Sequence, residues 1–433
     1  MTPAARVPAV KVALVGVNAI GHRSLALGYV RAYAQADPRL AGEVGFVTLD
    51  LDVAVDPWWV AYRVAALEPD VVGFSVVCWN ARIVYDACRL LRSIAPEVRI
   101  IVGGPEPGPI AEDVIRAVPS VDAVVRGEGE ETFADLLYAI RKGRALWRVD
   151  GVTARKDGAP ISAPDRGLFA DLDRLPSPFL TGTMQPAATG AYIETYRGCP
   201  HRCGYCYEGK GTQRVRHFSR ERVEAEIAHV TSVPGIHSFS FIDPVFNLNG
   251  ERLEWLSGVL APYAARGVRL KTIEVDIERI GPPEAALLAR AGVASVETGP
   301  QSVGARALEI CRRRFDQDRF AAGVAALKGA GISVECDLII GLPGDTVSDV
   351  LAGMRFVLAL DPGAIQMSTL HVLPGTDLWE NAKDHELVFD SEPPHEVIRT
   401  AEISFADMRR LEVLGNALMD HYRARASRVR GGA

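Results

Sequence analysis

The sequence predicts an α/β protein with an N-terminal doubly wound parallel sheet, a partial (β/α)6 barrel and a small C-terminal helical appendix. Three observations lead to this prediction. Apolar, β-branched runs alternate with helical segments over residues 1–148, the same alternation returns over residues 189–385, and a stretch rich in glycine and proline separates the two. Because 48% of the 433 residues are hydrophobic, the chain has enough material for more than one buried core.

The first alternation contains five predicted strands, a pattern typical of a flavodoxin-like, doubly wound domain. Continuous β-branched runs suit a parallel sheet that is covered on both faces. The predicted strands are residues 10–15, 44–48, 71–76, 99–102 and 123–125, and the predicted helices lie near residues 22–36, 56–67, 81–94 and 109–117. Residues 149–188 break this rhythm with prolines and glycines such as Gly151, Pro160 and Pro176, which predicts a linker that can include a small hairpin.

The second alternation contains six β/α units, two fewer than a closed eight-fold barrel, so a laterally open barrel is expected. The predicted strands are residues 191–196, 237–242, 270–275, 294–297, 334–340 and 364–370, and the predicted helices lie near residues 219–232, 250–265, 282–290, 303–329 and 346–358. Residues 386–433 form a C-terminal extension with an amphipathic helix around residues 405–422.

Charge and cysteine usage narrow the class of protein. A net charge of −6 gives no electrostatic signature of nucleic-acid binding. No apolar run approaches eighteen residues, and we expect neither a membrane span nor a signal peptide. Three of the seven cysteines lie within eight residues, which in a reducing cytoplasm indicates metal or redox chemistry rather than a disulfide framework. A cytoplasmic protein that binds neither membrane nor nucleic acid is therefore expected.

The three clustered cysteines, Cys199, Cys203 and Cys206, are spaced as CxxxCxxC directly after the first predicted barrel strand. Thiolates ligate iron–sulfur clusters, and most cubane clusters have four of them. Three thiolates would leave one iron open to a chelating substrate or cofactor. A structural zinc site is the alternative, but such sites normally close a four-ligand shell, and His201 lies awkwardly inside the loop for a fourth ligand.

The CxxxCxxC spacing, with Tyr205 before the last cysteine, resembles the signature of radical S-adenosylmethionine (SAM) enzymes. The resemblance continues in the expected order over about residues 190–385. The matching segments are YRGCP at 196–200, CYEGKG at 206–211, FIDPVFN at 241–247, ETGPQS at 297–302, GLPGDT at 341–346 and LPGT at 373–376. It implies a radical SAM partial barrel with a 4Fe–4S cluster on Cys199, Cys203 and Cys206, whose open iron binds SAM.

Six residues near the barrel's strand ends are predicted to bind SAM, because barrel active sites lie at the carboxyl ends of strands. They are Tyr205, Asp243, Glu274, Glu297, Gln301 and Gly341. Alternatives remain open for several of them: Tyr205 can instead pack within its loop, and a carboxylate at a strand end can cap a helix or pair with an arginine. No side chain is predicted to be catalytic itself, because the cofactors carry the chemistry. Cys311 and Cys336 are expected in the core.

The N-terminal domain, residues 1–148, resembles the cobalamin-binding domain of cobalamin-dependent radical SAM enzymes. The segments that carry the resemblance are GFSVVCWN at 73–80, VGGP at 102–105, VRGEGEETF at 125–133 and, in the linker, LDRLPSPF at 172–179. In open α/β sheets the ligand lies beyond the carboxyl ends of the strands. The residues predicted to bind cobalamin there are Asn18, Ser75, Val77, Trp79, Asn80, Gly103, Gly104, Gly127 and Glu128.

One departure from the cobalamin pattern concerns the axial ligand. Domains that hold cobalt by a histidine carry Asp-x-His-x-x-Gly after the first strand, whereas this chain has VNAIGH at residues 17–22, with His22 after the glycine. Either cobalamin binds without a protein histidine or the domain is a vestigial scaffold. Because the loops at the strand ends are rich in glycine, binding is expected.

The resemblance implies a cobalamin-dependent radical SAM methyltransferase that acts on an unactivated carbon of a small molecule, a natural product, using methylcobalamin and a 5′-deoxyadenosyl radical. It also implies an external one-electron reductant of flavodoxin or ferredoxin type. A non-methylating reaction in the same group, such as cyclisation, ring contraction or oxidation, is the alternative. Less favoured are a cobalamin-free radical SAM enzyme, a methylthiotransferase-like enzyme with a second cluster, and a non-catalytic iron–sulfur protein.

Overall fold

A computed structural model of the protein describes residues 9–187, 191–208 and 214–431, with side chains of the last helix described as far as residue 425. The chain divides into two compact units, residues 1–189 and residues 190–433. None of the helices among the described residues is both long and apolar enough to cross a lipid bilayer.

The N-terminal unit contains one seven-stranded sheet in the order β2-β1-β3-β4-β5-β6-β7. Strands β1 to β5 are parallel, and their order is that of flavodoxin-like sheets, which confirms the predicted fold. The elements are β1 (Val10–Asn18), α1 (Leu25–Ala36), β2 (Val44–Asp52), α2 (Pro57–Ala65), β3 (Val71–Ser75), α3 (Ala81–Ile94), β4 (Arg99–Gly103), α4 (Ala111–Ala117), β5 (Ala123–Val125), α5 (Gly129–Arg141), β6 (Val152–Lys156) and β7 (Ala159–Ser162).

Two hydrophobic layers cover the sheet, one on each face. Alternate residues of β1 divide between them: Val15 and Val17 pack with α2, α3 and α4, whereas Val12 and Leu14 pack with α1 and α5. Successive side chains of a strand point to opposite faces, so a strand buried on both sides is apolar throughout. Helix α5 was not among the predicted helices.

The predicted linker contains more structure than a connection. Strands β6 and β7 form an antiparallel hairpin that pairs with β5 and extends the first sheet. Asp157 and Gly158 join the two strands, and both have positive φ angles, +51° and +86°. Asp-Gly with two left-handed residues is the favoured two-residue hairpin turn, so the local sequence explains why this segment folds onto the sheet edge.

The C-terminal unit is a six-stranded parallel sheet in the order β8-β11-β12-β13-β14-β15. Within the described residues the outer strands β8 and β15 do not pair with each other, so the barrel is open, as predicted. The elements are β8 (Tyr192–Ile193), β9 (Tyr196–Arg197), β10 (Arg216–His217), α6 (Arg220–Ser232), β11 (Ser238–Phe241), α7 (Gly250–Ala265), β12 (Arg269–Glu274), α8 (Pro282–Arg290), β13 (Val293–Gln301), α9 (Ala305–Ile310), α10 (Gln317–Gly329), β14 (Ser333–Ile340), α11 (Val347–Leu360), β15 (Ala364–Thr369), α12 (Asp377–Glu380), β16 (Val388–Phe389), β17 (Val397–Arg399) and α13 (Phe405–Gly431).

Two parts of this unit differ from the predicted elements. The helix predicted over residues 303–329 is divided into α9 and α10 by a turn in which Arg312 has a φ of +51°. The strand predicted over residues 191–196 is divided as well, and β9 pairs with β10 in a separate two-stranded ribbon. In the appendix, helix α13 packs against the edge strand β15, where the amide of Met367 contacts the sulfur of Met419.

Candidate functional site

The cysteine loop follows β9 and is held by backbone hydrogen bonds on two sides. The Gly204 N–H donates to the Cys311 carbonyl at 2.8 Å, and the Leu378 N–H donates to the Gly204 carbonyl at 3.0 Å. Within the loop, the Cys206 N–H donates to the Cys203 carbonyl at 3.1 Å. Cys203 is buried, and Cys199 and Cys206 are partly buried. These bonds fix the part of the loop that carries Cys203 and Cys206.

Burial raises the pKa of the Cys199 thiol to about 11 and that of the Cys206 thiol to about 12. Such thiols stay neutral until a metal displaces the proton, since coordination deprotonates a thiol outright. Among the described residues, no three His, Cys, Asp or Glu side chains are arranged around a single metal ion. The donors in the loop are three sulfurs, which are the ligand type of iron–sulfur clusters.

A cavity of about 720 Å³ opens beside Cys203 at the carboxyl ends of the barrel strands. Its lining is charged: carboxylates come from β12, β13 and β14, and arginines come from the segment between α9 and α10. The volume is in the range of small-molecule sites, which run from about 300 to 1,000 Å³.

Three glutamates lie side by side on neighbouring parallel strands. Glu274 of β12 pairs in register with Glu297 of β13, which pairs in register with Glu335 of β14. Burial, reinforced by Glu297 and Glu208, raises the pKa of Glu274 to about 7. Burial and Glu335 raise the pKa of Glu297. Like charges directly opposite each other are destabilising, so the row favours a positively charged ligand.

Asp337 lines the same cavity, two residues beyond Glu335 on the same strand. Burial and then Glu297 raise its pKa to about 9, so the carboxyl is protonated at neutral pH. Its Oδ1 atom is buried and has no hydrogen-bond partner among the described residues. A buried acceptor without a partner costs about 1–3 kcal/mol, which is tolerated where a ligand is expected to supply the missing contact.

Arg313 places its guanidinium between the cysteine loop and strand β13. Nη1 lies 3.6 Å from the Cys203 sulfur, Nε donates to the Pro300 carbonyl at 3.3 Å, and Nη2 donates to the Gly299 carbonyl. The Tyr205 hydroxyl interacts with both Cys203 and Arg313. A cation thus lies beside one thiol of the predicted cluster.

The six residues predicted to bind SAM are in different environments. Glu274, Glu297 and Gln301 line the cavity, and Gln301 has a φ of +65°, a strained conformation for a residue with a side chain. Gly341 lies under helix α13, where an added Cβ would be 2.8 Å from the Met408 side chain. Tyr205 is partly buried beside Cys203.

Asp243 is engaged within the fold. Its side chain is fully buried and accepts hydrogen bonds from the Thr195 N–H at 2.8 Å, from the Thr195 hydroxyl and from Arg252 at 2.7 Å. The Arg252 guanidinium in turn lies 5.1 Å from the centre of the Tyr196 ring. The pair fixes the segment that leads from β8 into the cysteine loop, which is one of the alternatives open for such a carboxylate.

The polar residues of the cavity that the sequence-based prediction missed include Arg313 and Asp337. Arg313 is the middle of three consecutive arginines, and a run of identical charges does not show which member faces inward. Asp337 stands in the alternation of β14, where Val334, Cys336 and Leu338 are buried. Because side chains alternate along a strand, Asp337 lies on the opposite face of β14 from these buried residues, and this alternation was the signal that could have identified it.

The N-terminal unit has a smaller cavity, of about 140 Å³, at the carboxyl ends of β1, β3, β4 and β5. Its lining is apolar or backbone, including Leu14, Phe74, Phe133 and several glycines. At Gly73 an added Cβ would be 3.0 Å from the Leu14 side chain and 3.1 Å from Phe133. Gly104 has a φ of +127°, and an added Cβ there would be 2.2 Å from the Val76 carbonyl oxygen. Glycine is therefore required at both positions by the packing of the unit itself, because a Cβ would contact neighbouring protein atoms.

The residues predicted to bind cobalamin fall into two groups. Ser75, Gly103, Gly104 and Gly127 line the cavity. Others make contacts within the fold: the Asn80 side chain donates to the Val17 and Ser75 carbonyls and accepts from the Val77 N–H, the Glu128 carboxylate accepts from the Phe169 N–H, and the Asn18 amide donates to Asp50.

Trp79 and His22 are both exposed. Trp79 keeps 48% of its surface accessible, which leaves its ring open to a ligand or partner. His22 precedes α1, whose N-cap is Ser24, so His22 does not cap that helix.

Comparison with known proteins gives a family for each unit. Residues 11–137 match the B12 binding domain, and residues 193–357 match the radical SAM superfamily. An uncharacterized methyltransferase of Pyrococcus horikoshii is 28% identical, with 84% of each chain covered. The cobalamin-dependent radical SAM methyltransferase TokK of Streptomyces tokunonensis is 26% identical over 85% of this chain and 56% of TokK.

A solved structure shares the fold across most of the chain. The radical SAM methyltransferase TsrM from Kitasatospora setae, determined with tryptophan and a SAM analogue, superposes with a TM-score of 0.70 at 18% identity, covering 93% of this chain and 82% of TsrM. With the B12-binding sheet, the open barrel and its thiol loop in one chain, this protein is a radical SAM enzyme with a B12 binding domain, and its cofactors are a 4Fe–4S cluster, SAM and cobalamin.

Proposed function

We propose that the protein is a methyltransferase that moves a methyl group from SAM, by way of cobalamin, to an unactivated carbon of a small molecule. One observation carries the proposal: a single chain contains a three-thiol loop beside a charged cavity and, in its other unit, a glycine-lined apolar cavity at the edge of a B12-binding sheet. The relatives named as methyltransferases support methyl transfer as the outcome.

Cys199, Cys203 and Cys206 are the proposed cluster ligands. The chemistry of the donor set fits, because three sulfurs on one fixed loop leave the fourth iron of a cubane open for the amino and carboxylate groups of SAM. When bound, the cluster supplies the electron that cleaves SAM, and cobalamin carries the methyl group. The protein's part is to hold the thiolates, orient SAM and exclude water.

Glu274, Glu297 and Gln301 are the proposed SAM-binding side chains of the cavity. SAM has a sulfonium and an ammonium group, and a row of mutually repelling carboxylates is stabilised by positive charge. Binding should therefore lower the pKa of Glu274 from its value near 7. We assign Asp243 a positioning role through Thr195 and Arg252, while Tyr205 and Gly341 remain predicted contacts.

Ser75, Gly103, Gly104 and Gly127 are the proposed cobalamin contacts in the N-terminal unit. The cavity suits an apolar portion of a ligand that is much larger than the cavity itself, with the rest lying outside it. Trp79, exposed at the carboxyl end of β3, is available to that outer part. We propose that no histidine of this unit binds cobalt. His22 is its only histidine, and it follows the glycine of VNAIGH instead of preceding it as the ligating histidine does.

The test follows the fate of SAM in anaerobically reconstituted protein supplied with cobalamin and an external reductant of flavodoxin type. Each methyl group that leaves SAM yields one S-adenosylhomocysteine, whereas radical cleavage yields 5′-deoxyadenosine and methionine. A methyltransferase should form both adenosine products, and the S-adenosylhomocysteine should disappear when cobalamin is omitted. Formation of 5′-deoxyadenosine without S-adenosylhomocysteine would favour the non-methylating alternative. Absence of both products would overturn the radical SAM proposal.

A further inference from the structure

Arg313 occupies a position that SAM binding by the carboxylates does not explain. Its Nη1 points at the Cys203 sulfur, 3.6 Å away, a distance within hydrogen-bonding range for sulfur. Nε and Nη2 donate to the Pro300 and Gly299 carbonyls, and the guanidinium also contacts the Tyr205 hydroxyl. The guanidinium is therefore held between strand β13 and the cysteine loop, and Nη1 donates to the thiol.

The turn after α9 delivers this side chain. The Arg313 N–H donates to the Leu308 carbonyl at 2.9 Å, and the Arg312 N–H donates to the Glu309 carbonyl at 3.0 Å, which together form a Schellman helix end. Arg312 has a φ of +51° at the position where such ends usually have glycine. A left-handed residue with a side chain costs about 1–2 kcal/mol, so the turn stores strain beside the cysteine loop.

The same turn contacts the cysteine loop a second time, through the Gly204 N–H and the Cys311 carbonyl. Loop and turn are thus joined by the backbone hydrogen bond from Gly204 to Cys311 and by the contacts of the Arg313 side chain with Cys203 and Tyr205. The neighbouring arginines are placed differently: Arg312 pairs with Asp377, and Arg314 is exposed on the cavity. Of these three consecutive arginines, Arg313 is the one that donates to a thiol of the loop.

We propose that Arg313 is a positioning residue that hydrogen-bonds the Cys203 thiolate of the cluster and makes the cluster easier to reduce. The inference rests on the proposed function, since it takes Cys203 as a cluster ligand. Hydrogen bonds to the sulfurs and net charge set the reduction potential of iron–sulfur clusters. Reduction adds negative charge, part of which resides on the thiolates, and a nearby cation with an N–H directed at sulfur stabilises that charge.

The experiment compares the midpoint potential of the cluster in the wild type and in variants of the 433-residue protein, reconstituted and kept free of SAM. The potential is measured by redox titration, and cluster reduction is followed by electron paramagnetic resonance. Arg313→Gln should lower the equilibrium constant for cluster reduction about tenfold, which is 59 mV for one electron. Arg313→Lys keeps the positive charge but loses the planar guanidinium, so its midpoint potential should lie between those of the wild type and Arg313→Gln. Arg314→Gln, which removes the same charge from the same cavity without removing a hydrogen bond to sulfur, is the matched control and should shift the potential much less.

The outcomes separate the inference from the proposed function. A wild type that holds no cluster overturns both. A cluster with full iron content whose potential is the same in wild type, Arg313→Gln and Arg313→Lys overturns the inference alone, and weakened SAM binding in those variants would then assign Arg313 to the SAM carboxylate. If Arg313→Gln is insoluble, Arg313→Lys decides, because a structural role alone would not shift the potential of a protein that folds and holds four irons.

Discussion

The two cavities of this protein are lined by different chemistry. In the N-terminal unit the lining is apolar side chains and glycine backbone, and its shape depends on positive φ angles such as that of Gly104. In the C-terminal unit the lining is charged, with carboxylates of raised pKa at the strand ends and arginines opposite them. The first cavity is suited to bind a ligand by its shape, and the second is suited to bind a ligand by charge.

This difference predicts how each site should fail. A site that binds by shape is lost when a side chain fills it, and it should respond little to pH. A site that binds by charge keeps its volume when a carboxylate is replaced by an amide, but it loses the charge. Because its carboxylates have shifted pKa values, the free energy of unfolding of that unit should also depend on pH. Substitutions chosen for one mode should leave the other site working, since each unit has its own core.

The largest expected effect is in the cysteine loop. Cys199→Ala, Cys203→Ala and Cys206→Ala should each abolish SAM cleavage and reduce iron well below the value of about four per chain that a cubane requires. Cobalamin binding by the other unit should persist, as measured by the absorbance of the retained corrin.

Cys311→Ala is the matched control for the loop. Cys311 is buried next to the loop, but it contributes its backbone carbonyl, which alanine retains. The variant should keep its iron and its activity. Equal loss of iron in Cys311→Ala and Cys203→Ala would show that the ligand set is wrong.

A smaller effect is expected when the apolar cavity is filled. Gly129 lines that cavity at the start of α5, has an ordinary backbone conformation, and has no atom closer than 3.6 Å to the position of an added Cβ. Gly129→Leu should therefore fold but weaken cobalamin binding at least tenfold, about 1.4 kcal/mol. Gly129→Ala should bind almost as the wild type does. Unchanged affinity in Gly129→Leu would move the cobalamin site elsewhere.

Sequence patterns predicted the strands and the thiol loop because both are local. Strands buried on two faces are apolar runs, and three thiolates need a fixed spacing. Which arginine of residues 312–314 faces the cysteine loop depends on the left-handed turn at Arg312. Asp243 is used within the fold because it pairs with Arg252, a residue on the next helix. Such contacts are set by tertiary packing, which no spacing in the sequence reveals.

The charged cavity should make stability depend on pH through Asp337. Its pKa is about 9 in the folded protein, against an ordinary value near 3.9, so the folded state holds this proton more tightly. The stabilisation is complete below the unfolded pKa and is lost as the pH rises towards 9. Asp337→Asn removes this loss and should raise the free energy of unfolding of the metal-free protein by about 1–3 kcal/mol at pH 8, with little change at pH 4.

Thermal unfolding at the two pH values measures this effect. Asp318→Asn is the control, because Asp318 is exposed on α10 and the substitution makes the same change of side chain outside the cavity. A difference of similar size at both pH values would show that Asp337 acts through packing rather than through its proton.

The smallest expected effect is none, and it concerns His22. Cobalamin should bind to the N-terminal unit without a histidine on cobalt, since His22 follows Gly21 at an exposed position ahead of α1. A histidine nitrogen on cobalt splits the electron paramagnetic resonance of cob(II)alamin, because its nuclear spin couples to the unpaired electron. We expect no such splitting in wild type and an identical spectrum in His22→Ala. Splitting that vanishes in His22→Ala would overturn the axial-ligand proposal, and it would also show that the shape-based site holds its ligand by a bond that its apolar lining does not reveal.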